Sequence, residues 1–241
     1  MPNRLKYTFL ALVVISISVS GFLPRKVFAS GACCAITQGE KSRPHISLAG
    51  SYGSSHEKIG GEQFNLGQSA LLLKYGYSLF EKCTIQANIG LPVSTKLNDS
   101  NGFRGSGGII YGAGIGYELP KFIEPINSYF LVSYSMSYGL LQKTENEKGR
   151  DSVFIISEIQ SALIIETKVA DKFGIYGGLR AYSGKNRLKN SITNEKVDGE
   201  REGNYSPLFG GRYNISDKIS AVAESGLGHN RVTSSGLIYY F

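Results

Sequence analysis

The chain has 241 residues, a formal charge of +7, 30 glycines, 15 tyrosines and no tryptophan. Four of its cations, Arg4, Lys6, Arg25 and Lys26, stand in the first thirty positions, which carry no acid; without them the charge falls to +3, so the basic balance is no argument for nucleic acid. Beyond that segment no run of about twenty apolar residues occurs, which excludes a membrane-crossing helix there.

In chain order, the first element is an export signal. Arg4 and Lys6 form its charged start, "YTFLALVVISISVSGFL" its apolar middle, and Val27 and Ala29 fit a cut before Ser30, with a second cut site after Ser20. Residues 1–29 are therefore expected to be a cleavable signal peptide, residues 30–43 a short leading segment, and residues 44–241 a single domain.

That domain alternates. "TIQANIGL" sets Ile85, Ala87, Ile89 and Leu91 on one face and Thr84, Gln86, Asn88 and Gly90 on the other. "GIIYGAGIGYEL" sets Ile109, Tyr111, Ala113, Ile115, Tyr117 and Leu119 against Gly108, Gly112, Gly114, Gly116 and Glu118, with Ile110 the apolar exception. A period of two is that of a strand with unlike faces. Ten segments read this way: 44–53, 68–79, 83–92, 107–119, 128–140, 152–167, 172–183, 204–215, 218–228 and 231–241. Each is about the length a tilted strand needs to cross a bilayer.

The connections alternate too. "FEKC", "PKFIEPIN", "VADK" and "ISDK" are mostly tight turns. "SSHEKIGGEQFN", "STKLNDSNGFRG", "KTENEKGRD" and "GKNRLKNSITNEKVDGEREGN" read as long polar loops. Short turns at one end and long loops at the other suit a membrane barrel better than a soluble sandwich.

The faces give the orientation. Leu71, Leu73, Tyr75, Tyr77 and Leu79 share one face with no ionised group among them, as do Phe130, Val132, Tyr134, Met136 and Tyr138. The opposite face carries Lys74, Glu118, Glu158, Gln160, Glu166, Arg180, Arg212 and Glu224. Turned toward lipid, a cation near the midplane costs about 2–4 kcal/mol. Turned inward, Lys74, Arg180 and Arg212 neutralise Glu118, Glu158, Glu166 and Glu224, and these seven residues are the expected lumen charge network. Glycines 108, 112, 114 and 116 would leave room for bulky inward side chains. Aromatic residues gather at the short-turn end (Tyr77, Phe80, Tyr117, Phe122, Phe130, Phe173, Tyr213 and Phe241), as an interfacial girdle would.

The chain ends on "SSGLIYYF", with Leu237, Tyr239 and Phe241 alternating on the lipid-facing side. This ending resembles the C-terminal signature of bacterial outer-membrane proteins. Together with the export signal and the alternation, the chain resembles the small outer-membrane β-barrels of the OmpA/OmpX type. The resemblance implies an all-β, antiparallel, up-and-down transmembrane barrel in the outer membrane, with ten strands, or eight if the first pair stays outside the ring. It implies that Leu237, Tyr239 and Phe241 are read by the barrel-assembly machinery. Lipid and lipopolysaccharide are the expected partners, nucleic acid is not, and no extracellular ligand is named.

In that topology Cys33, Cys34 and Cys83 all fall on the oxidising periplasmic side, which raises a Cys83 disulfide with Cys33 or Cys34. His56 and His229 fall on the outer side without a spacing that marks a catalytic pair. His45 opens the first strand. No metal or cofactor is called for, and an enzyme is not expected. Three functions remain open at this point: a structural or surface-interaction barrel with its lumen filled by side chains, a narrow porin-like channel for ions or small solutes, and a hydrolase at the rim.

Overall fold

The computed structural model describes residues 43–80, 82–98, 103–105, 107–120, 126–143, 151–190, 194–201, 205–228 and 231–241. The expected signal peptide, Cys33, Cys34, Phe122 and His229 lie outside them.

Twelve strands follow in order. They are β1 (His45–Ile59), β2 (Glu62–Phe80), β3 (Cys83–Asn98), β4 (Phe103–Gly105), β5 (Gly108–Glu118), β6 (Ile126–Lys143), β7 (Asp151–Ala170), β8 (Phe173–Asn190), β9 (Lys196–Arg201), β10 (Tyr205–Asn214), β11 (Ile219–Gly226) and β12 (Arg231–Tyr240). All pairings are antiparallel. The main ring runs β1-β2-β3-β5-β6-β7-β8-β10-β11-β12 and returns to β1, so ten strands close with no free edge. The seam pairs His45 with Tyr240 through to Ser54 with Arg231. Ten strands is the expected number, and the first pair belongs to the ring.

The alternation fixes which side chain faces which way. Leu71, Leu73, Tyr75, Tyr77 and Leu79 on β2 are exposed, while Leu72, Lys74 and Gly76 between them are buried. The same holds for Ile109, Tyr111, Ile115 and Tyr117 on β5 and for Leu237, Tyr239 and Phe241 at the end of the chain. A belt of outward oily side chains encircles the ring, and only lipid can cover it favourably.

Within the described residues, three of the four long loops expected at the outer end are instead mostly wall, while "KTENEKGRD" falls almost wholly outside those residues. β1 and β2 continue through "SSHEKIGGEQFN" and meet in a two-residue turn at Gly60 and Gly61, both with positive φ (60° and 92°). That is the geometry of a primed hairpin turn, which only glycine, asparagine and aspartate adopt readily. β2 and β7 are 19 and 20 residues long, about twice what a bilayer needs.

The extra height has a different strand count. β4 takes the place of β5 between β3 and β6. β9, inside a segment read as loop, pairs with β8 on one side and with β1 on the other. β10, β11 and β12 are only 10, 8 and 10 residues long and stop below it. The outer ring is thus β1-β2-β3-β4-β6-β7-β8-β9, with eight strands. β9 acts as a strap that bypasses three strands.

One bulge matters to the interior. Ser69 pairs with Ser94 and Ala70 with Pro92, leaving Val93 as an extra residue on β3. Such an insertion shifts the alternation by one. Below it Gly90 faces inward; above it Thr95 and Leu97 do, and Leu97 meets Leu66 in register.

Candidate functional site

The lumen is built from every second residue of each strand. Lys74, Glu158, Glu166, Arg180, Arg212 and Glu224 are all buried there, and Glu118 is half-buried near the periplasmic end of β5. Arg212 Nη2 lies 2.6 Å from Glu166 Oε1. The two residues sit on β10 and β7 with β8 between them, and glycine at 174 lets the pair span that strand. A Cβ there would stand 3.2 Å from Glu166 Oε1. The Tyr176 hydroxyl donates to Glu224 Oε2 at 3.4 Å, passing over Gly210. Gly112 and Gly114 leave space for Asn88 and Gln86 of the adjoining strand. The inward face is not wholly polar even here: Ala70, Leu72 and Ile110 form one small apolar cluster, and Ala162, Ile164 and Leu208 another.

Higher in the lumen, Gln160 Nε2 donates to Glu158. Gln68 Nε2 donates to Ser137 Oγ at 3.1 Å and Thr95 Oγ1 at 3.3 Å. Glu57 is fully buried, receiving Asn186 Nδ2 at 2.5 Å and the Ser55 hydroxyl. Sequence reading missed Glu57 because "SSHEKI" passed for loop; continuing the alternation of β1 past Gly53 would have found it.

The same layer is also apolar, since Phe64 is the register partner of Glu57, Leu66 of Ser55 and Ile156 of Asn186. Ile59, Phe64, Leu66, Leu97, Phe154 and Ile156 converge inside the outer ring, with Leu188 packed against them. Leu66 and Leu97 are 0% exposed and Phe154 is 1%. The outer lumen is therefore largely filled by an apolar plug around Glu57 and Asn186, built mostly from segments that read in the sequence as polar loops. At the other end a recess of about 370 Å³ opens between Arg43, Lys172 and Asp217 and ends on Arg212 and Tyr240.

The outer wall carries a groove of about 710 Å³. One row of it reads Met136, Ser157, Lys185, Glu200 and Lys58 across β6, β7, β8, β9 and β1. In the next row outward Ile155 faces Arg187, which faces Asp198. Arg187 donates from Nε and Nη2 to the two carboxylate oxygens of Asp198 at 2.5 and 3.1 Å. That guanidinium holds the Asp198 carboxyl below the usual carboxylate range, helped by Lys185 and Lys196.

The remaining sequence candidates are placed as follows. Leu237, Tyr239 and Phe241 face outward on the seam strand, with the Tyr239 and Phe241 rings edge to face at 5.3 Å. Cys83 begins β3 at the periplasmic end, half-buried; the partners expected for it lie outside the described residues. His56 is exposed on the outer wall, and His45 is buried with its Nδ1 3.2 Å from the Arg43 carbonyl oxygen. Among the described residues no group of three His, Cys, Asp or Glu is placed to hold a metal.

No protein-family model and no curated protein matches the chain. Solved structures do. The translocator domain of autotransporter NalP from Neisseria meningitidis superimposes with a TM-score of 0.52 at 12% identity, covering 86% of this chain and 91% of that one. The outer membrane protease OmpT from Escherichia coli gives 0.50 at 11%, covering 88% of this chain and 100% of that one. Identities this low speak for the fold alone. With a ring sealed at its seam and its oily side chains turned outward, this chain has the fold of the small bacterial outer-membrane β-barrels, and the outer membrane is where that fold places it.

Proposed function

We propose that the protein is a closed, non-conducting and non-enzymatic barrel whose work is done by its tall outer wall, as an anchor or a surface for interaction. The observation that carries this reading is the apolar plug. A solute path through the lumen would have to part Leu66, Leu97, Phe154 and Ile156, which are buried against one another. Burying each such side chain contributes about 1.5–3 kcal/mol, so an opening that exposes several of them at once is costly. Below the plug the buried Arg212–Glu166 pair narrows the same path.

The test is conductance across a planar bilayer. The folded protein is expected to give no stable current, and Phe154→Ser with Leu97→Ser to give one. Discrete, steady channels from the unaltered protein would overturn the reading in favour of a narrow channel.

A further inference from the structure

The recess at the periplasmic end, about 370 Å³ in volume, has a mouth and an inner end of different character. Backbone hydrogen bonds build the mouth. The turn between β7 and β8 supplies Asp171 and Lys172, and the Lys172 carbonyl accepts from the Asn214 N–H at 2.8 Å, which ties that turn to the end of β10. Asp217 comes from the turn between β10 and β11. On the seam side the Phe241 N–H donates to the Pro44 carbonyl at 3.0 Å and holds the chain beside Arg43. Two cations and two carboxylates thus stand around one opening. All four are exposed, and among the described residues none of their side chains makes an ion pair or a hydrogen bond. Charges of both signs that face one cavity without meeting are matched by a ligand that carries both signs.

The inner end is buried. Arg212 is held there by Glu166, and Tyr240 is 5% exposed. The Tyr240 hydroxyl has no hydrogen-bond partner, and Ser220 Oγ beside it donates instead to Asn214 Oδ1 at 2.7 Å. A buried hydroxyl in that state is uncommon in a folded protein, and an acceptor placed in the recess would satisfy it. Beside a guanidinium the acceptor that fits best is a carboxylate. Depth selects the length of the ligand. Arg212 lies two residues inside the end of β10, about 7 Å along the strand. Two extended amino-acid residues span about 7 Å, and one spans about half of that.

We infer that this recess binds a zwitterion the size of a dipeptide. Its carboxylate lies inward against Arg212 and the Tyr240 hydroxyl, and its ammonium lies at the mouth against Asp171 and Asp217. Arg43 and Lys172 draw the carboxylate in. The site faces the periplasm, so it depends neither on the outer wall nor on the plug.

The test is isothermal titration calorimetry of the full-length folded protein in detergent. The probes are alanyl-alanine, its C-terminal amide, its N-acetyl derivative and free alanine. Alanyl-alanine is expected to bind. The amide lacks the carboxylate and should bind about tenfold more weakly, as should free alanine, which is too short to reach both ends. The N-acetyl derivative should bind about threefold more weakly, a smaller loss because the mouth is open to solvent. Tyr240→Phe should weaken alanyl-alanine about tenfold. Asp171→Asn with Asp217→Asn should weaken it about threefold and abolish the discrimination against the N-acetyl derivative. Migration of unheated samples in electrophoresis verifies that each variant is folded. No binding of alanyl-alanine, equal binding of the four probes, or an unchanged affinity in folded Tyr240→Phe would overturn the proposal. Binding that emerges only when the residues ahead of Arg43 are removed would overturn it too and assign the recess to the chain's own leading segment.

Discussion

The membrane half and the outer half of this barrel share β1, β2, β3, β6, β7 and β8, and the two halves of those strands meet opposite solvents. On β2 the lower half turns Leu71, Leu73 and Tyr75 outward and Lys74 inward; the upper half turns Gln63 and Asn65 outward and Phe64 and Leu66 inward. On β8 Leu179 and Ile175 face out below, with Arg180 enclosed, while Lys185 and Arg187 face out above. The backbone pattern does not change across the boundary. What changes is the medium outside, which sets which side chains can be left there. The upper half is a small soluble barrel with an oily centre standing on a membrane barrel whose charged groups are enclosed.

This contrast can be broken by substitution. The largest effect is expected from Glu166→Ala, which removes the buried carboxylate paired with Arg212 and should cost about 3–5 kcal/mol. Phe154→Ala should cost the upper half a comparable amount, about 3–5 kcal/mol, by leaving a cavity in the plug. Both are read from urea unfolding of the reconstituted protein followed by tyrosine fluorescence. A sharper comparison uses one strand and one chemistry. Leu73→Arg on β2 should cost about 2–4 kcal/mol because its outside is lipid. Asn65→Arg, eight residues away on the same face, should stay within about 0.5 kcal/mol because its outside is water. Equal costs at the two positions would mean that the boundary is misplaced.

The smallest effect concerns β9. The carboxyl of Asp198 is depressed in the folded protein, so its pairing with Arg187 stabilises the strap above the ordinary carboxylate range and is lost as pH falls through the lowered value. Amide exchange of residues 196–201 should therefore quicken at acid pH, and Asp198→Asn should remove that dependence.

Much of the membrane half was legible in the sequence because alternation and lipid agree there. Ten strands, the outward faces of β2, β5 and β12, and the inward placement of Lys74, Glu158, Glu166, Arg180, Arg212 and Glu224 all follow from a period of two. The upper half was hidden for a physical reason. A strand whose outside is water carries polar residues outward, and "SSHEKIGGEQFN" and "GKNRLKN" then look like loop. The Gly60–Gly61 turn and the Phe64, Leu66 alternation were the available signals. β9 offered less: "KVDGER" has low strand propensity, and its partners in β1 lie far away in sequence. Lys185 and Arg187 were visible as loop charges, but the groove they line needs β6, β7 and β1 beside them.

The strap has a consequence for how the molecule closes. β1 is zipped twice, to β9 by its upper residues Glu57–Ile59 and to β12 by its lower residues His45–Ser54. The upper zipper needs no residue beyond 201, whereas the lower one needs β12. The crown can thus be buttoned while the waist is still open, and the final hairpin has only a preformed gap of fixed width to fill.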